Sequence, residues 1–408
     1  MRYAGVGSVL IVLTVLAAPP AARAQLVGQA AGRARPAAEG VHTSGRHAFR
    51  VVTVAEGLDH PWSMAWLPNG DMLVTERPGR LRIVRDGRLL PEPVAGVPRV
   101  RARGQGGLLE VVVHPGFATN RLVYLSIAKP SVNDSLATTA VVRGRLENDR
   151  LVDVREIFEA KAWASGNAHF AGKMAFDRAG YLYLTVGDRG VDPNQLAAHP
   201  AQSLAQHQGK VLRLHDDGRV PTDNPFVGRQ DALPEIWSYG HRNLQGLAVH
   251  PETGEIWENE HGPRGGDEVN LVRKGANYGW PVVSYGINYD GSPYAHEAVR
   301  AGIESPRWTW VPSIATSGML FYTGDRFPWW KGSLLVGGLV GKQLARLTLE
   351  GDRVVSEEAM LDGVGRIRDV RQGPDGYVYL AIDGDSMQSL SPVVRLEPVA
   401  SDIQPPTD

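Results

Sequence analysis

The 408-residue chain contains no cysteine. Disulfides, thiolate metal sites, cysteine nucleophiles, iron–sulfur clusters and covalently attached c-type haem are therefore excluded. Net charge is nearly absent as well, with 43 Lys plus Arg against 44 Asp plus Glu and a formal balance of −1. Without a global field to draw in nucleic acid or a membrane surface, any charge used for binding has to be local. Several motifs are also missing. There is no P-loop, no G-x-S-x-G elbow, and no G-x-G-x-x-G that follows a strand and opens a helix. ATP chemistry, an α/β-hydrolase and nicotinamide binding through a Rossmann unit are left without support. EF-hand spacing and the H-E-x-x-H zinc motif are absent too.

The chain begins with a basic residue, Arg2, an apolar run from Val6 to Ala18, and Ala22-Arg23-Ala24 before Gln25. That order predicts a cleaved secretory signal over residues 1–24 and a periplasmic or secreted product. The apolar run is too short to span a bilayer comfortably, and no later stretch is long enough to do so. Residues 25–47, rich in Ala, Gly and Arg, read as a linker, and 400–408 as a flexible tail. Between them, 48–399 reads as one domain. Its 47 Gly and 28 Pro, counted over the chain, suit many turns rather than long helices.

A unit recurs in that domain: an apolar stretch, a turn carrying Asp, Asn or Pro with Gly, then a short alternating strand. It occurs at 64–76, 109–127, 174–188, 247–260, 319–338 and 370–382. Each copy is predicted to be a hairpin, with Gly or Asn supplying the positive φ of the turn. Six such hairpins, each with room for two more strands, predict an all-β, six-bladed β-propeller of four-stranded antiparallel sheets. Functional residues are then expected in the loops around a central funnel.

The segments between hairpins carry the candidate chemistry. Gln105 stands among Gly104, Gly106 and Gly107, where an amide can meet a flat ligand; a plain glycine turn is the alternative. His169, in a loop leading into a strand, has a side chain suited to general-base work, although most histidines are surface or satisfied core groups. Arg242 and Asn243 offer donors to a carboxylate or a developing oxyanion, or else form a blade-connecting ion pair. Residues 258–268 hold Glu258, Glu260, Asp267 and Glu268 beside Gly and Pro, a set that suits Ca²⁺ or a solvated acidic loop. Tyr278, Trp280 and Tyr289 could wall a planar ligand or pack in a core. Arg366 and Arg368 share one side of a strand, suited to a polyanionic ligand or a cross-blade salt bridge.

Taken in order, HPWSMAWLPNGDMLVTER, GQGGLLEVVVHPGF, HFAGKMAF, YLTVGDRG, GHRNLQGLA, ENEHGPRGGDEVNL, GANYGWP and RIRDV resemble the soluble PQQ-dependent sugar dehydrogenases, in particular the aldose sugar dehydrogenase branch. The resemblance runs from about His60 to Leu396 and implies a six-bladed propeller, in agreement with the hairpin count. It further implies oxidation of an aldose at C1 to the lactone, with hydride passing to PQQ and electrons to an external acceptor such as a quinone, a cytochrome or a dye.

The resemblance implies site residues as well. His169 matches the base that removes the C1-hydroxyl proton, and Arg242 with a Ca²⁺ would stabilise negative charge on the quinone. Gln105, Arg242, Asn243, Tyr289, Arg366, Ile367 and Arg368 match cofactor contacts, and Gly338, Leu339 and Val340 align with another contact stretch. Gly262 and Pro263 match carbonyl ligands of the catalytic Ca²⁺, and Glu268 with the Tyr278 carbonyl resemble ligands of a structural one. The chain departs from the glucose enzyme at Ala168, where an Asp precedes the base, and at Lys342, displaced by two residues from a cofactor-contacting Lys. The resemblance leaves monomer and homodimer open. A calcium-dependent lactonase and a non-catalytic extracellular propeller are the competing functions.

Overall fold

The structure, a computed structural model, describes residues 40–45, 47–293, 297–384 and 390–399. The signal at 1–24, most of the linker and the tail at 400–408 lie outside the described residues. The described chain opens with β1 (His42–Ser44) and β2 (His47–Asp59). Four strands follow as blade 1: β3 (Pro61–Trp66), β4 (Met72–Glu76), β5 (Arg80–Arg85) and β6 (Arg88–Leu89). Blade 2 holds β7 (Leu108–Val113), β8 (Leu122–Pro130), β9 (Ala137–Glu147) and β10 (Arg150–Glu159). Blade 3 holds β11 (Ala171–Phe176), β12 (Leu182–Val186), β13 (Lys210–Leu214) and β14 (Ile236–Tyr239). Blade 4 is β15 (Leu244–Val249), β16 (Ile256–Glu260), β17 (Asp267–Leu271) and β18 (Trp308–Trp310). Blade 5 is β19 (Thr316–Phe321), β20 (Leu334–Gly338), β21 (Leu344–Glu350) and β22 (Arg353–Met360). Blade 6 takes β23 (Arg366–Gln372), β24 (Val378–Asp383) and β25 (Leu390–Pro398), and then β2 from the other end of the chain.

Closure follows from that last pairing. β2 runs antiparallel to β25 from Phe49↔Pro398 to Asp59↔Leu390, so the two ends of the domain lock one sheet. The inner strands β3, β7, β11, β15, β19 and β23 each touch the next, and β23 returns to β3. A ring of sheets has no exposed inner edge to aggregate through. The six repeated segments are the two innermost strands of the six blades. Their turns behave as expected in five cases, with Gly70, Gly180, Gly254, Gly332 and Gly376 at φ between 76° and 92°. The second hairpin differs: Arg121, not Asn120, takes the left-handed conformation, at φ 54°, where it caps the short helix α1 (Phe117–Asn120).

One boundary needs correction. β1 lies inside the segment read as a linker, pairing His42 with Phe49 and Ser44 with His47, and makes the sixth sheet five-stranded. Ser44 is buried and its hydroxyl donates to Glu358 of the adjacent blade, a contact no local pattern announces.

The core lies between blades rather than along one axis. Leu73, Leu81 and Ile83 of blade 1 pack on Leu108, Val123 and Leu125 of blade 2, and comparable layers join the other neighbours. Strands covered on both faces, such as β4, β12 and β20, are buried at every position, the polar Thr75, Glu76 and Thr185 among them. The axis itself is filled by charge. Lys173 (blade 3) lies 2.9 Å from Glu110 (blade 2) and 3.0 Å from Asp369 (blade 6), and Arg371 pairs with both carboxylates. Two cations against two anions make this buried cluster neutral, the condition under which burial of charge is tolerated.

Candidate active site

Every blade breaks register where its inner strand begins. The shifts fall between Pro61/Ser63, Leu108/Val111, Ala171/Met174, Leu244/Gly246, Thr316/Met319 and Ile367/Asp369. A bulge leaves a residue unpaired and re-aims its side chain. Trp62, Gln245 and Arg368 occupy three of these positions, and all three line one cavity of about 430 Å³, within the usual range for a small-molecule site.

The cavity is cationic on one side and apolar on another. Arg77, Arg366 and Arg368 line it together with Asp383, while Trp62, Phe170, Leu339, Val340 and Tyr289 supply flat or apolar wall. Arg368 donates to Gln245 Oε1 at 3.0 Å, and Gln245 donates in turn to Asn243 Oδ1 at 2.9 Å. The Asn243 amide nitrogen is buried without a partner, a group that costs about 1–3 kcal/mol unless something accepts from it. Burial lowers the Arg368 guanidinium from its ordinary value, and Asp383 pulls against that. An acidic, planar ligand fits this donor set, and the arginines, Asn243 and Gln105 are the groups that would hold it.

Beside the cavity stands His169. Its Nδ1 is 2.6 Å from Asp188 Oδ1, and its backbone N–H donates to Gln105 Oε1 at 2.8 Å. Asp188 is buried and fully engaged: Oδ1 also accepts from Gly190 N at 2.8 Å, and Oδ2 accepts from Trp280 Nε1 at 2.8 Å. Burial alone would raise the Asp188 carboxyl, but the charges of His169 and Arg242 and the hydrogen bond from His169 outweigh it and hold it below 3.8. With Asp188 ionised, Nδ1 carries the imidazole proton and Nε2 keeps a lone pair. That is the arrangement of a general base.

Arg242 joins the same centre from blade 4. Its carbonyl accepts from Asp188 N at 2.8 Å, and its guanidinium donates to the carbonyls of Gly262 at 2.8 Å and His261 at 3.2 Å. It lines a second, much smaller cavity with Glu260, Gly262, Glu268 and Tyr278; His261 lines both. Burial pushes His261 down to about 3, so its imidazole is neutral at working pH.

The acidic segment is buried rather than solvated. Glu260 faces Glu268 across β16 and β17, Glu258 faces Asn270, and these four side chains share one face. Burial and the Glu260 charge raise Glu268 to about 8 and drive Glu258 well above its usual value. Asn270 Nδ2 donates to Glu258 and Glu268, and His241 Nδ1 lies 3.2 Å from Glu260 and 3.6 Å from Glu258; a cation beside the carboxylates would relieve the remaining repulsion, and carboxylate and carbonyl oxygens suit Ca²⁺. At Gly262, an added Cβ would lie 2.3 Å from the carbonyl oxygens of Gly265 and Gly266, so the turn packs carbonyls where no side chain fits. The raised Glu268 carboxyl and the carbonyls packed around Gly262 are the two features of this segment that a bound cation would engage.

Of the residues expected at the site, Gln105, Asn243, Tyr289, Leu339, Val340, Arg366 and Arg368 line the larger cavity, and Arg242, Gly262, Glu268 and Tyr278 the smaller. His169, Pro263, Gly338 and Ile367 line neither one. Ile367 is fully buried in the apolar layer between blades 5 and 6, on the side of β23 away from its arginine neighbours. Lys342 is at the β20–β21 turn, outside the lining residues, with φ 49°. Sequence reasoning passed over His60, Trp62, Arg77, Gln245, His261, Asp383 and Asp188. Most of them stand within the motifs quoted above, next to residues that were chosen.

The glucose/sorbosone dehydrogenase profile matches residues 58–391. Aldose sugar dehydrogenase YliI of Escherichia coli is 45% identical over 346 residues, covering 83% of this chain and 91% of its own. Quinoprotein glucose dehydrogenase B of Acinetobacter calcoaceticus is 28% identical over 411 residues, with 82% and 85% covered. The PQQ-bound aldose sugar dehydrogenase structure from Streptomyces coelicolor superimposes with a TM-score of 0.71 at 28% identity, spanning 87% of this chain and 100% of that one.

Proposed function

The chain belongs to the glucose/sorbosone dehydrogenase family, and we propose that it is an exported, PQQ- and Ca²⁺-dependent dehydrogenase that oxidises aldoses at C1 to the lactone. When bound, PQQ supplies an ortho-quinone that accepts hydride. The chain's own residues do the rest. His169 Nε2 takes the proton of the C1 hydroxyl while Asp188 holds Nδ1–H and stabilises the imidazolium. Arg242, fixed by its carbonyl to Asp188 and by its guanidinium to Gly262, keeps a positive charge beside the reacting centre. Arg366, Arg368, Asn243 and Gln105 bind and orient the acidic cofactor, and Trp62, Phe170 and Leu339 exclude water from one wall. Gly262 and Pro263 carbonyls would hold one Ca²⁺, and Glu268 with the Tyr278 carbonyl a second.

A single observation carries this reading: an Asp-held imidazole adjoins a cavity lined by three guanidiniums. Purified protein freed of cofactor, then given PQQ and Ca²⁺, is expected to reduce a dye in the presence of aldoses. His169→Ala should lower kcat by about 10³-fold with PQQ affinity retained. No dye reduction by the wild type across an aldose panel, or lactone hydrolysis without PQQ, would overturn the proposal.

A further inference from the structure

The loop that carries His169 is held by a residue outside the chemistry. Arg189 follows Asp188 and is 2% exposed. Its guanidinium donates to the carbonyl of Ala168 through one nitrogen and to that of Gly166, at 2.8 Å, through another. The same group stacks on Phe170, 3.4 Å from the ring centroid, and Arg189 N donates to the His169 carbonyl at 3.3 Å. One side chain therefore grips the backbone before His169 and the ring after it. The backbone here needs gripping: His169 at φ 49°, Ala171 at φ 55° and Arg189 at φ 63° are all non-glycine residues in the left-handed region. Such conformations each cost on the order of 1–3 kcal/mol and persist only where surrounding contacts over-determine them.

The chemistry of arginine explains the choice. A planar fork reaches two carbonyls and stacks on a ring at once, which lysine, with a single point charge, does not. Burial lowers this guanidinium to about 10, so it remains charged at neutral pH. The resemblance places an Asp before the base, and this chain has Ala168 there. Here successive residues, Asp188 and Arg189, support His169 from across the blade.

We propose that Arg189 is a positioning residue that fixes the His169 backbone while Asp188 fixes its ring, so that loss of Arg189 disables the base far more than it weakens cofactor binding. The inference rests on His169 being the base.

Two variants test it, Arg189→Gln and Arg189→Lys. In the cofactor-free protein the Nδ1 proton shared with Asp188 should give a far-downfield proton resonance that disappears in His169→Gln. Arg189→Gln is expected to broaden or lose that resonance and to lower kcat about 30-fold, as misplacement of a catalytic group does, with PQQ affinity from fluorescence titration changed by less than about threefold. Arg189→Lys should fall between it and the wild type, and it decides the matter if Arg189→Gln does not fold. Retention of the resonance and of kcat in both variants would overturn the proposal. A parallel loss of PQQ affinity would also overturn it, because the effect would then belong to the whole funnel. If the wild type lacks the resonance, or if His169→Ala retains turnover, it is the base assignment that fails.

Discussion

The funnel contains two Asp–His pairs built alike. His169 Nδ1 lies 2.6 Å from Asp188, and His60 Nδ1 lies 2.7 Å from Asp383. Both imidazoles sit on left-handed backbone, at φ 49° and 51°, just before an inner strand, and both carboxylates stand at the end of a second strand. Their surroundings differ. Asp188 serves His169, Gly190 and Trp280, and among the described residues His169 Nε2 bonds to no protein atom. Asp383 serves His60 through Oδ1, while its Oδ2 lies 3.8 Å from Arg366 and 3.7 Å from Arg368. His60 Nε2 is buried without a partner. The same dyad is a base where its free nitrogen is left open and its carboxylate is otherwise held by the N–H groups of Gly190 and Trp280. It is a strut for the arginine pair where the nitrogen is closed off and the carboxylate faces two guanidiniums.

The comparison breaks most sharply at Asp188→Asn. Both carboxylate oxygens accept from N–H groups, so an amide must turn its NH₂ toward Trp280 or toward Gly190 and His169. The second choice forces the wrong imidazole tautomer, and the first leaves two donors facing each other. A fall in kcat of about 10²–10³-fold is expected by analogy with triad aspartates, measured in the reconstituted enzyme. Asp188 titrates below 3.8 in the folded protein, so its ion-pair stabilisation is complete above that value and is lost only as pH falls through the lower one. Asp188 should therefore contribute no acid limb to the activity of the wild type above that value.

Arg368→Ala tests the strut from the other side. The side chain is 14% exposed and bonded to Gln245. Its loss removes a largely desolvated charge-assisted contact, so PQQ affinity should weaken about 10- to 100-fold, with kcat at saturating PQQ much less affected. Unchanged affinity would mean that the cavity's cations do not grip the cofactor.

Much of this was legible because hairpin turns and inner strands announce themselves locally. Six copies of one pattern were enough to count blades. The outer strands were not legible: β6 has two residues and β18 three, and β18 is reached only after a long connection from β17. β1 was hidden because three polar residues, His42-Thr43-Ser44, become a strand only through β2. The site followed the same rule. Arg366 and Arg368 are two residues apart on one strand and could be found; His60 and Asp383 are 323 residues apart, and nothing in either neighbourhood names the other. Asp188 is 19 residues from His169, near enough to guess, but only the hairpin β11–β12 shows that the intervening turn brings the two together. Ile367 was carried along by its arginine neighbours, although strand alternation already assigned it to the opposite side.

Metal removal tests the acidic side of the funnel. Burial and then Glu260 raise Glu268 from 4.5 to about 8, so the folded protein binds more protons than the unfolded chain between those values. Without Ca²⁺, stability should fall as pH rises across that window. Calcium requires the deprotonated carboxylate, so its stabilisation should grow over the same range. Melting with Ca²⁺ and with chelator is expected to differ more at pH 8.5 than at pH 6. A difference that shrinks with pH would remove Glu268 from the ligand set.

The smallest effect is expected at His60→Ala, and it is the one that separates strut from base. Loss of the imidazole deletes a buried hydrogen bond to an ionised carboxylate, worth about 2 kcal/mol, and Tm should fall by a few degrees. Asp383 keeps Arg366 and Arg368 as neighbours, so the cavity retains its counter-charge, and kcat should stay within about twofold of wild type. The two histidines then part by orders of magnitude in turnover despite near-identical Asp contacts. If His60→Ala instead costs as much turnover as His169→Ala, burial of Nε2 has not closed the second dyad, and the division of labour between the two pairs does not hold.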